Sequence, residues 1–452
     1  MIVVFFVTAI VLLLLGVPVA VTVGSAAIVF ILGSGISPLI IIQRLFVGLD
    51  SVSFIAIPMF ILAGDIMNRG GLAKRIVRLC SKLVGNIHGG LAIVTIIACM
   101  FFAAISGSGV ATAAAMGAIM VPSMVASGYS KEYAGAVVGA ASPIGVIIPP
   151  SISFIVYGVL ANCSITGLYK AGIPAGIIMG AALMAVSYII ARRRGYRGTI
   201  AGNSGEEERR HVSASTGAAA EAKGGVAVRV QEEQKPMGLW AKVCDSSVWA
   251  ILTPVILIGG VFGGNFTATE SAVVAVLYSI LVGTFIYKGM RWRDLPKVFL
   301  NAAVGAAKIM FIIANAQLFA WVISYAKIPQ MILSGFESLQ MPGFVILLLI
   351  NLILLIAGTF METSAIILIC TPIFLPVVTA MGMDPVHFGI IITANTAIGL
   401  LTPPFGVCLF TAAAVAKVKI QAMFKEIIPF IVTMIIAILI ITYCAPLVMF
   451  MV

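Results

Sequence analysis

Apolar runs near 20 residues long recur along this chain, separated by short polar stretches. About 20 such residues cross a ~30 Å hydrocarbon core as a helix. The runs predict spanning segments at roughly 2–15, 18–33, 51–68, 131–162, 168–193, 247–264, 268–288, 298–324, 385–416 and 424–450. The first is short, so 2–33 reads either as two helices or as one long tilted helix. Two further stretches, 90–127 and 343–381, are broken in the middle by small and polar residues. One break is Ser106-Gly107-Ser108-Gly109; the other is Gly358-Thr359-Phe360-Met361-Glu362-Thr363-Ser364. Each predicts a re-entrant hairpin that enters, turns and leaves on one side. Non-helical backbone at that depth persists only where protein or a water-filled cavity satisfies its polar groups.

Two stretches depart from this pattern. Residues 196–245 are rich in Gly, Ala, Ser and Glu without apolar periodicity, which reads as a flexible cytoplasmic linker or an amphipathic cytoplasmic helix. In 69–88, Leu72, Ile76, Leu79 and Leu83 share one side, as in a helix lying along the interface with its basic residues toward headgroups. The fold class expected is an all-α polytopic membrane protein with about 10 transmembrane helices and two re-entrant hairpins.

The halves repeat. A shift of 254 residues brings Pro122 onto Pro376, Gly128 onto Gly382, Ser142 onto Thr396, Gly145 onto Gly399 and Pro149-Pro150 onto Pro403-Pro404. Apolar matches arise by chance, but a proline pair 27 residues after an earlier proline, twice, does not. The expected organisation is a first repeat over 1–195, the linker at 196–245 and a second repeat over 246–452. The first starts outside and the second inside, with five crossings each, as in an inverted-repeat transporter.

Composition agrees: 61% of the residues are hydrophobic and 10% charged, too apolar for a soluble domain. The net charge of +11 does not imply nucleic acid, because the basic residues flank apolar helices without interleaved aromatics. With both broken stretches re-entrant, the cytoplasmic side holds the clusters around Arg69–Lys82, Arg192–Arg194, Lys288–Lys297 and Lys417–Lys425. Only Arg44, Lys170 and Lys327 fall outside, the asymmetry that the positive-inside rule requires. The seven cysteines form no CxxC pair and read as packing residues. The N-terminus MIVVFFVTAIVLLLLG lacks the positive n-region of a cleaved signal peptide.

Chemistry concentrates in Ala140–Ser151 and Ala394–Pro404, where paired prolines unwind a helix. The carbonyls so released, of Gly145 and Ile148 or of Gly399 and Thr402, become hard oxygen ligands at mid-membrane. Such a set suits Na⁺, and the half-helix ends suit an anionic substrate group. A plain proline kink is the simpler reading of either copy alone; two symmetry-matched copies, each just after a polar hairpin tip, weigh against it. Acidic residues within the membrane are Asp65, Glu270 and Glu362, each costly to bury. Glu362 reads as lining the cavity or capping a half-helix. Glu270 reads as an N-terminal helix residue or an ion-coupling group, and Asp65 as a wetted helix end. Lys308 either snorkels or pairs with a carboxylate.

Enzymatic chemistry finds no support. Gly107-Ser108-Gly109 resembles a nucleophilic serine turn, but His88, His211 and His387 lie at interfaces or in the linker, away from it. No HExxH or paired aspartate motif is present. A passive channel is the alternative from another class, and paired hairpins suit alternating access better.

At these residues the chain closely resembles the large membrane subunit of tripartite ATP-independent periplasmic (TRAP) transporters, the DctM-like component. The matching stretches are AISGSGVATAAAMGAIMVP (104–122), ASPIGVIIPPSISFIVYG (141–158), FTATESA (266–272), GTFMETSAIILICTPIFLPV (358–377) and GLLTPPFGVCLF (399–410). The departures are the long linker and Glu362, where the family commonly carries aspartate. The resemblance implies a Na⁺-driven secondary transporter in the bacterial inner membrane that takes up organic acids such as C4-dicarboxylates or sialic acid. It implies a small four-helix membrane subunit, a periplasmic substrate-binding protein and an elevator fold. Carried over, one Na⁺ site involves Ser106, Gly145, Ile148 and Pro150, and a second Gly358, Gly399, Thr402 and Phe405. Substrate is expected between them, near Ser108, Ser142, Glu362, Asn395 and Thr396. The runner-up is a stand-alone Na⁺/carboxylate symporter of similar architecture.

Overall fold

A computed structural model describes residues 1–84, 87–196, 248–403 and 406–452. The linker expected at 196–245 lies outside the described residues, except for Tyr196. The described residues form helices joined by short turns and loops, with no strand among them.

The apolar run at 2–33 forms two helices, α1 (Ile2–Leu14) and α2 (Val19–Gly33), rather than one tilted helix. Pro18 supplies no N–H and Gly16 adopts φ +76°, so the chain turns and α1 packs back on α2. Phe5 stacks on Phe319 and meets Phe30 edge-on, fastening α1 and α2 to α13 (Leu295–Tyr325). The short helix α3 (Leu39–Val47) has no counterpart among the predicted segments. At nine residues it is below spanning length, the only length the apolar-run argument can detect.

Next come α4 (Ala56–Arg69) and α5 (Leu72–Val84). The amphipathic reading of α5 matches its packing in part: Leu72, Ile76, Val77 and Cys80 are buried, Leu79 is half-buried and Arg78 is exposed. Five helices then follow: α6 (Gly90–Ser106), α7 (Gly109–Ala126), α8 (Lys131–Ala141), α9 (Ile152–Leu160) and α10 (Ile165–Arg194). After the linker come α11 (Val248–Phe262), α12 (Ala268–Leu281), α13 and α14 (Ile328–Ser338). Like α3, α14 is a short helix that the apolar runs did not predict. The chain closes with α15 (Gly343–Phe360), α16 (Thr363–Ala380), α17 (Pro385–Gly399), α18 (Val407–Ala416), α19 (Ile420–Tyr443) and α20 (Pro446–Met449).

The order α6–α10 recurs in α15–α19. Gly109 at the start of α7 and Thr363 at the start of α16 lie 254 residues apart, as do Lys131 and Pro385 at the starts of α8 and α17. The contacts recur as well: α7 packs against α18, and α16 against α9. Each hairpin therefore lays its second arm on the broken helix of the other half. Outside this core, α4 pairs with α12, and α2 with α13.

Eight helices among the described residues are long and apolar enough to cross a membrane, including the hairpin arms α7, α15 and α16. The broken-helix pieces are too short to do so alone. α8 has 11 residues and runs only ~17 Å at 1.5 Å per residue. Where α10 ends, Arg194 donates to Glu426 on α19 at 2.8 Å, and the Tyr133 hydroxyl on α8 meets Ser187 Oγ at 2.8 Å. The first of these contacts ties the end of the first half to the second, and the other holds α8 to α10 within the first half.

Candidate functional site

The site forms where two hairpin tips meet two broken helices. The first tip is shaped by three residues. α6 ends at Ser106, Gly107 takes φ +61°, and Ser108 is extended, its Oγ accepting the Ala111 N–H at 3.4 Å to cap α7. Ser106 Oγ and Thr112 Oγ1 are 3.0 Å apart, and Thr112 Oγ1 donates to the Ser108 carbonyl at 2.8 Å, closing the turn on itself. A left-handed residue followed by a serine cap is a sequence-encoded way to stop one helix and start another.

This tip faces the first break. Beyond α8 the chain makes a 3₁₀ turn, Ser142–Val146, and passes a cis Pro149–Pro150 peptide to α9. Ser151 Oγ accepts the Phe154 N–H at 3.4 Å, capping α9. A Cβ built on Gly107 would lie 3.4 Å from the Pro150 carbonyl oxygen, and one on Gly145 would strike Ala103 of α6. Pro150 thus lies against the tip that Ser106 and Gly107 form and Gly145 lies against α6 just before it, while the Ile148 side chain packs on Gly176 of α10.

The second half builds the same contact more tightly. α17 ends at Gly399, and the Thr402 N–H donates to the Gly399 carbonyl at 3.0 Å while Thr402 Oγ1 donates to Ile398 at 2.8 Å. Gly358 of α15 rests on this end: a Cβ on it would lie 2.9 Å from Gly399 Cα and 3.5 Å from Thr396 Cα. Gly358, Gly399 and Thr402 are brought together; Phe405, with Pro404, lies outside the described residues. At the second tip Met361 and Glu362 are extended, and Glu362 caps α16, its Oε2 accepting the Ser364 N–H at 3.1 Å and Oε1 the Ser364 hydroxyl at 3.2 Å. Of its two sequence readings, the capping geometry is present, and the residue is also exposed.

The breaks meet through an apolar cluster of Val146, Leu400 and Cys408. Gly109, next to Ser108, presses on the same point: its Cβ would lie 3.0 Å from Cys408 Sγ and 3.4 Å from the Ser142 carbonyl oxygen. Ser108 and Ser142 therefore lie close together. Asn395 is placed differently. Its Nδ2 donates to Asn351 Oδ1 at 2.6 Å and to Ile391 O at 2.9 Å, and Thr442 Oγ1 donates to the same Asn351 oxygen at 3.3 Å. That amide joins α15, α17 and α19. Thr396 is buried with its hydroxyl donating to Thr393 O at 2.9 Å.

The remaining acidic residues have local partners. Glu270 forms a capping box with Thr267, accepting its N–H at 2.8 Å, and Asp65 pairs with Arg69 at 3.2 Å. Asn351 was not singled out in the sequence, although a lone amide inside GFVILLLINLILLIAGTF is a readable signal. Cys408 and Ala103 gave none, because they matter only through what they touch. Among the described residues no three His, Cys, Asp or Glu side chains cluster as metal ligands. What the breaks offer is hydroxyl and carbonyl oxygen, a donor set that fits a hard monovalent cation and not a transition metal.

The pattern that defines the family "Tripartite ATP-independent periplasmic transporter, DctM component" matches residues 6–447. The chain belongs to this family. It is a TRAP transporter large permease, a membrane transport protein of the inner membrane. It is 38% identical to the C4-dicarboxylate TRAP transporter large permease protein DctM of Pseudomonas aeruginosa, over 88% of this chain and 86% of that one. It is 33% identical to the sialic acid TRAP transporter large permease protein SiaM of Vibrio cholerae, over 86% of this chain and 84% of that one. The isethionate TRAP transporter permease protein DctMQ of Oleidesulfovibrio alaskensis is 40% identical over 97% of this permease, which spans 64% of that longer relative. In fold it is similar to the Alcanivorax borkumensis YdaH transporter, whose crystal structure is described as having an unusual topology. That likeness has a TM-score of 0.60 at 15% identity and covers 90% of this chain and 88% of the other.

Proposed function

We propose that this TRAP permease imports an organic anion on a Na⁺ gradient, taking it from a periplasmic binding protein. A small four-helix subunit is its partner in the membrane. Named relatives handle C4-dicarboxylate, sialic acid and isethionate, all acidic, which supports an anionic cargo. The DctMQ relative is the longer protein, and its additional length is where the small subunit is expected.

The observation that carries the reading is the pairing of each break with a hairpin tip at backbone distance. The closest approaches are Gly145 on Ala103 and Gly358 on Gly399. Unwound backbone at such a place presents carbonyl dipoles to a cation. One Na⁺ is held by Ser106, Gly145, Ile148 and Pro150, and another by Gly358, Gly399, Thr402 and Phe405. Substrate lies between them near Ser108, Ser142, Glu362 and Thr396, while Asn395 acts from behind by holding α17 to α15. The halves are inverted in the membrane, and the hairpins and broken helices slide as one body against α2, α4, α12 and α13, an elevator movement.

The test is uptake of a panel of labelled organic acids into proteoliposomes that contain the permease, its small subunit and the binding protein. Uptake is expected to require both an inward Na⁺ gradient and the binding protein. Uptake without the binding protein supports the stand-alone symporter instead, and uptake indifferent to Na⁺ ends the coupling proposal. Thr402→Val should raise the Na⁺ concentration for half-maximal uptake; an unchanged Na⁺ titration removes Thr402 from the second site.

A further inference from the structure

The corner where α4 turns into α5 meets the end of α12 in a contact that leaves no room for side chains. A Cβ on Gly289 would lie 2.6 Å from the Gly70 carbonyl oxygen and 3.1 Å from Gly70 Cα. α12 runs on into a π-helical turn, Val282–Ile286, where the Tyr287 N–H donates to Val282 O at 2.8 Å. The extra residue of such a turn re-aims the side chains that follow. Tyr287 points inward, 8% exposed, with the Arg75 guanidinium 3.7 Å above its ring. Phe285 points outward, 55% exposed, and meets Trp292, 57% exposed, edge to face with centroids 5.8 Å apart.

Basic groups surround this aromatic pair. Arg69, Lys288, Arg291 and Arg293 are all exposed, and Arg75 lies beneath them on Tyr287. Within 288–294 the one carboxylate, Asp294, which accepts the Arg291 backbone N–H at 3.1 Å, stands against Lys288, Arg291 and Arg293, and Asp65 pairs with Arg69. Positive charge is in excess, and it lies beside exposed rings at the end of membrane-crossing helices.

We propose that this corner binds the headgroup of an anionic phospholipid. Lys288, Arg291 and Arg293 receive the phosphate oxygens, and Phe285 and Trp292 lie against the start of the acyl chains. Tryptophan favours that depth because its ring is apolar and its N–H is polar. Guanidinium groups match phosphate with paired hydrogen bonds, and basic groups next to the bilayer are drawn to anionic lipid. The Gly70–Gly289 contact fixes the backbone of the 288–293 segment against the α4–α5 corner, so the segment that carries these charges is held in place before a lipid arrives. A soluble phosphate would satisfy the cations but leave the aromatic pair uncovered, which favours the lipid.

The experiment purifies the full chain into nanodiscs of phosphatidylcholine alone or of phosphatidylcholine and phosphatidylglycerol in equal amounts. Native mass spectrometry then counts the lipids retained. Phosphatidylglycerol should be retained over phosphatidylcholine, and Lys288→Gln/Arg291→Gln/Arg293→Gln should lower that preference by roughly tenfold or more, as expected from three charges near a membrane surface. Lys417→Gln/Lys419→Gln/Lys425→Gln, another basic cluster, should leave it unchanged. On the unaltered chain, raised ionic strength should release the phosphatidylglycerol, a readout that needs no variant to fold. Equal retention of the two lipids, equal loss in both triple variants, or displacement by millimolar inorganic phosphate overturns the proposal.

Discussion

Gly358 and Gly399 meet backbone to backbone, with no side chain between the second hairpin and the end of α17. A Cβ on Gly399 would run into the Cα and carbonyl carbon of Gly358 and lie 2.6 Å from its carbonyl oxygen. Backbone cannot rotate away as a side chain does, so the hairpin as a whole would have to lift. Gly399→Ala should therefore destabilise by about 1–3 kcal/mol, the usual range for overpacking. Uptake should fall as well, because lifting the hairpin displaces it from the end of α17 where the second Na⁺ site is proposed. Gly259→Ala is the control, because a Cβ there meets nothing within 4 Å. It should leave uptake unchanged and the melting temperature level or slightly higher. Equal behaviour of the two variants in melting and uptake assays would show that the contact has no consequence.

The matching contact in the first half should respond differently. A Cβ on Gly145 would strike the Ala103 Cβ and lie 2.9 Å from Ala103 Cα. Part of that obstacle is a side chain and can be removed. Gly145→Ala should impair uptake, and Ala103→Gly in the same chain should restore a measurable part of it, despite the helix cost of about 1 kcal/mol for glycine. No single side-chain truncation can relieve Gly399→Ala. Failure of Ala103→Gly to recover any uptake would mean that Gly145 acts otherwise than through this contact.

These relationships mark what a sequence can and cannot disclose. Pro149-Pro150, Pro403-Pro404 and the Ser106–Gly109 turn were readable because proline and glycine act on their own backbone, whatever surrounds them. The repeat was readable because it is a spacing. The approach of Gly358 to Gly399 was expected only through the family resemblance, which put both in one site, since nothing local distinguishes a glycine under another backbone from one in open space, such as Gly259. The helices α3 and α14 escaped because a short helix leaves no 20-residue apolar run. Glu270 was ambiguous for a related reason: one carboxylate three residues after Thr267 fits a capping box or an ion pathway, and only its hydrogen bonds to Thr267 identify the box.

The Asn351–Asn395 pair is predicted to be strongly coupled. Both amides are buried, and Asn351 Oδ1 receives hydrogen bonds from Asn395 and Thr442. Removing one partner leaves the other buried with an unmet group, at about 1–3 kcal/mol. Asn351→Leu and Asn395→Leu should each lower the melting temperature, and the double variant should cost clearly less than their sum. The first half has Ile97 and Ala141 at the corresponding positions, so an apolar pair is tolerated in this architecture. Strict additivity in a denaturation series would mean that the two amides do not act together.

The last prediction concerns which parts move together. Gly109 on the first hairpin faces Cys408 at the start of α18, with 3.0 Å between a built Cβ and the Cys408 Sγ. A disulfide with an S–S bond of about 2.05 Å and ordinary angles places one Cβ about 3.0 Å from the opposite sulfur. Gly109→Cys should therefore cross-link to Cys408 under mild oxidation, seen as a band shift after cleavage between the two positions and reversed by a thiol. If the hairpins and broken helices travel as one body, as the elevator reading requires, the bridge lies within that body. Oxidised protein should then transport at a rate close to that of the same protein reduced. If instead the first hairpin must part from α18 to admit substrate, oxidation should abolish uptake and reduction should restore it. Comparing one protein in its two redox states removes the cost of the substitution itself, which crowds Pro143 Cα at 3.3 Å, from the comparison. A block on oxidation would replace the single-body movement with a gating one and leave the Na⁺-dependence question unaffected.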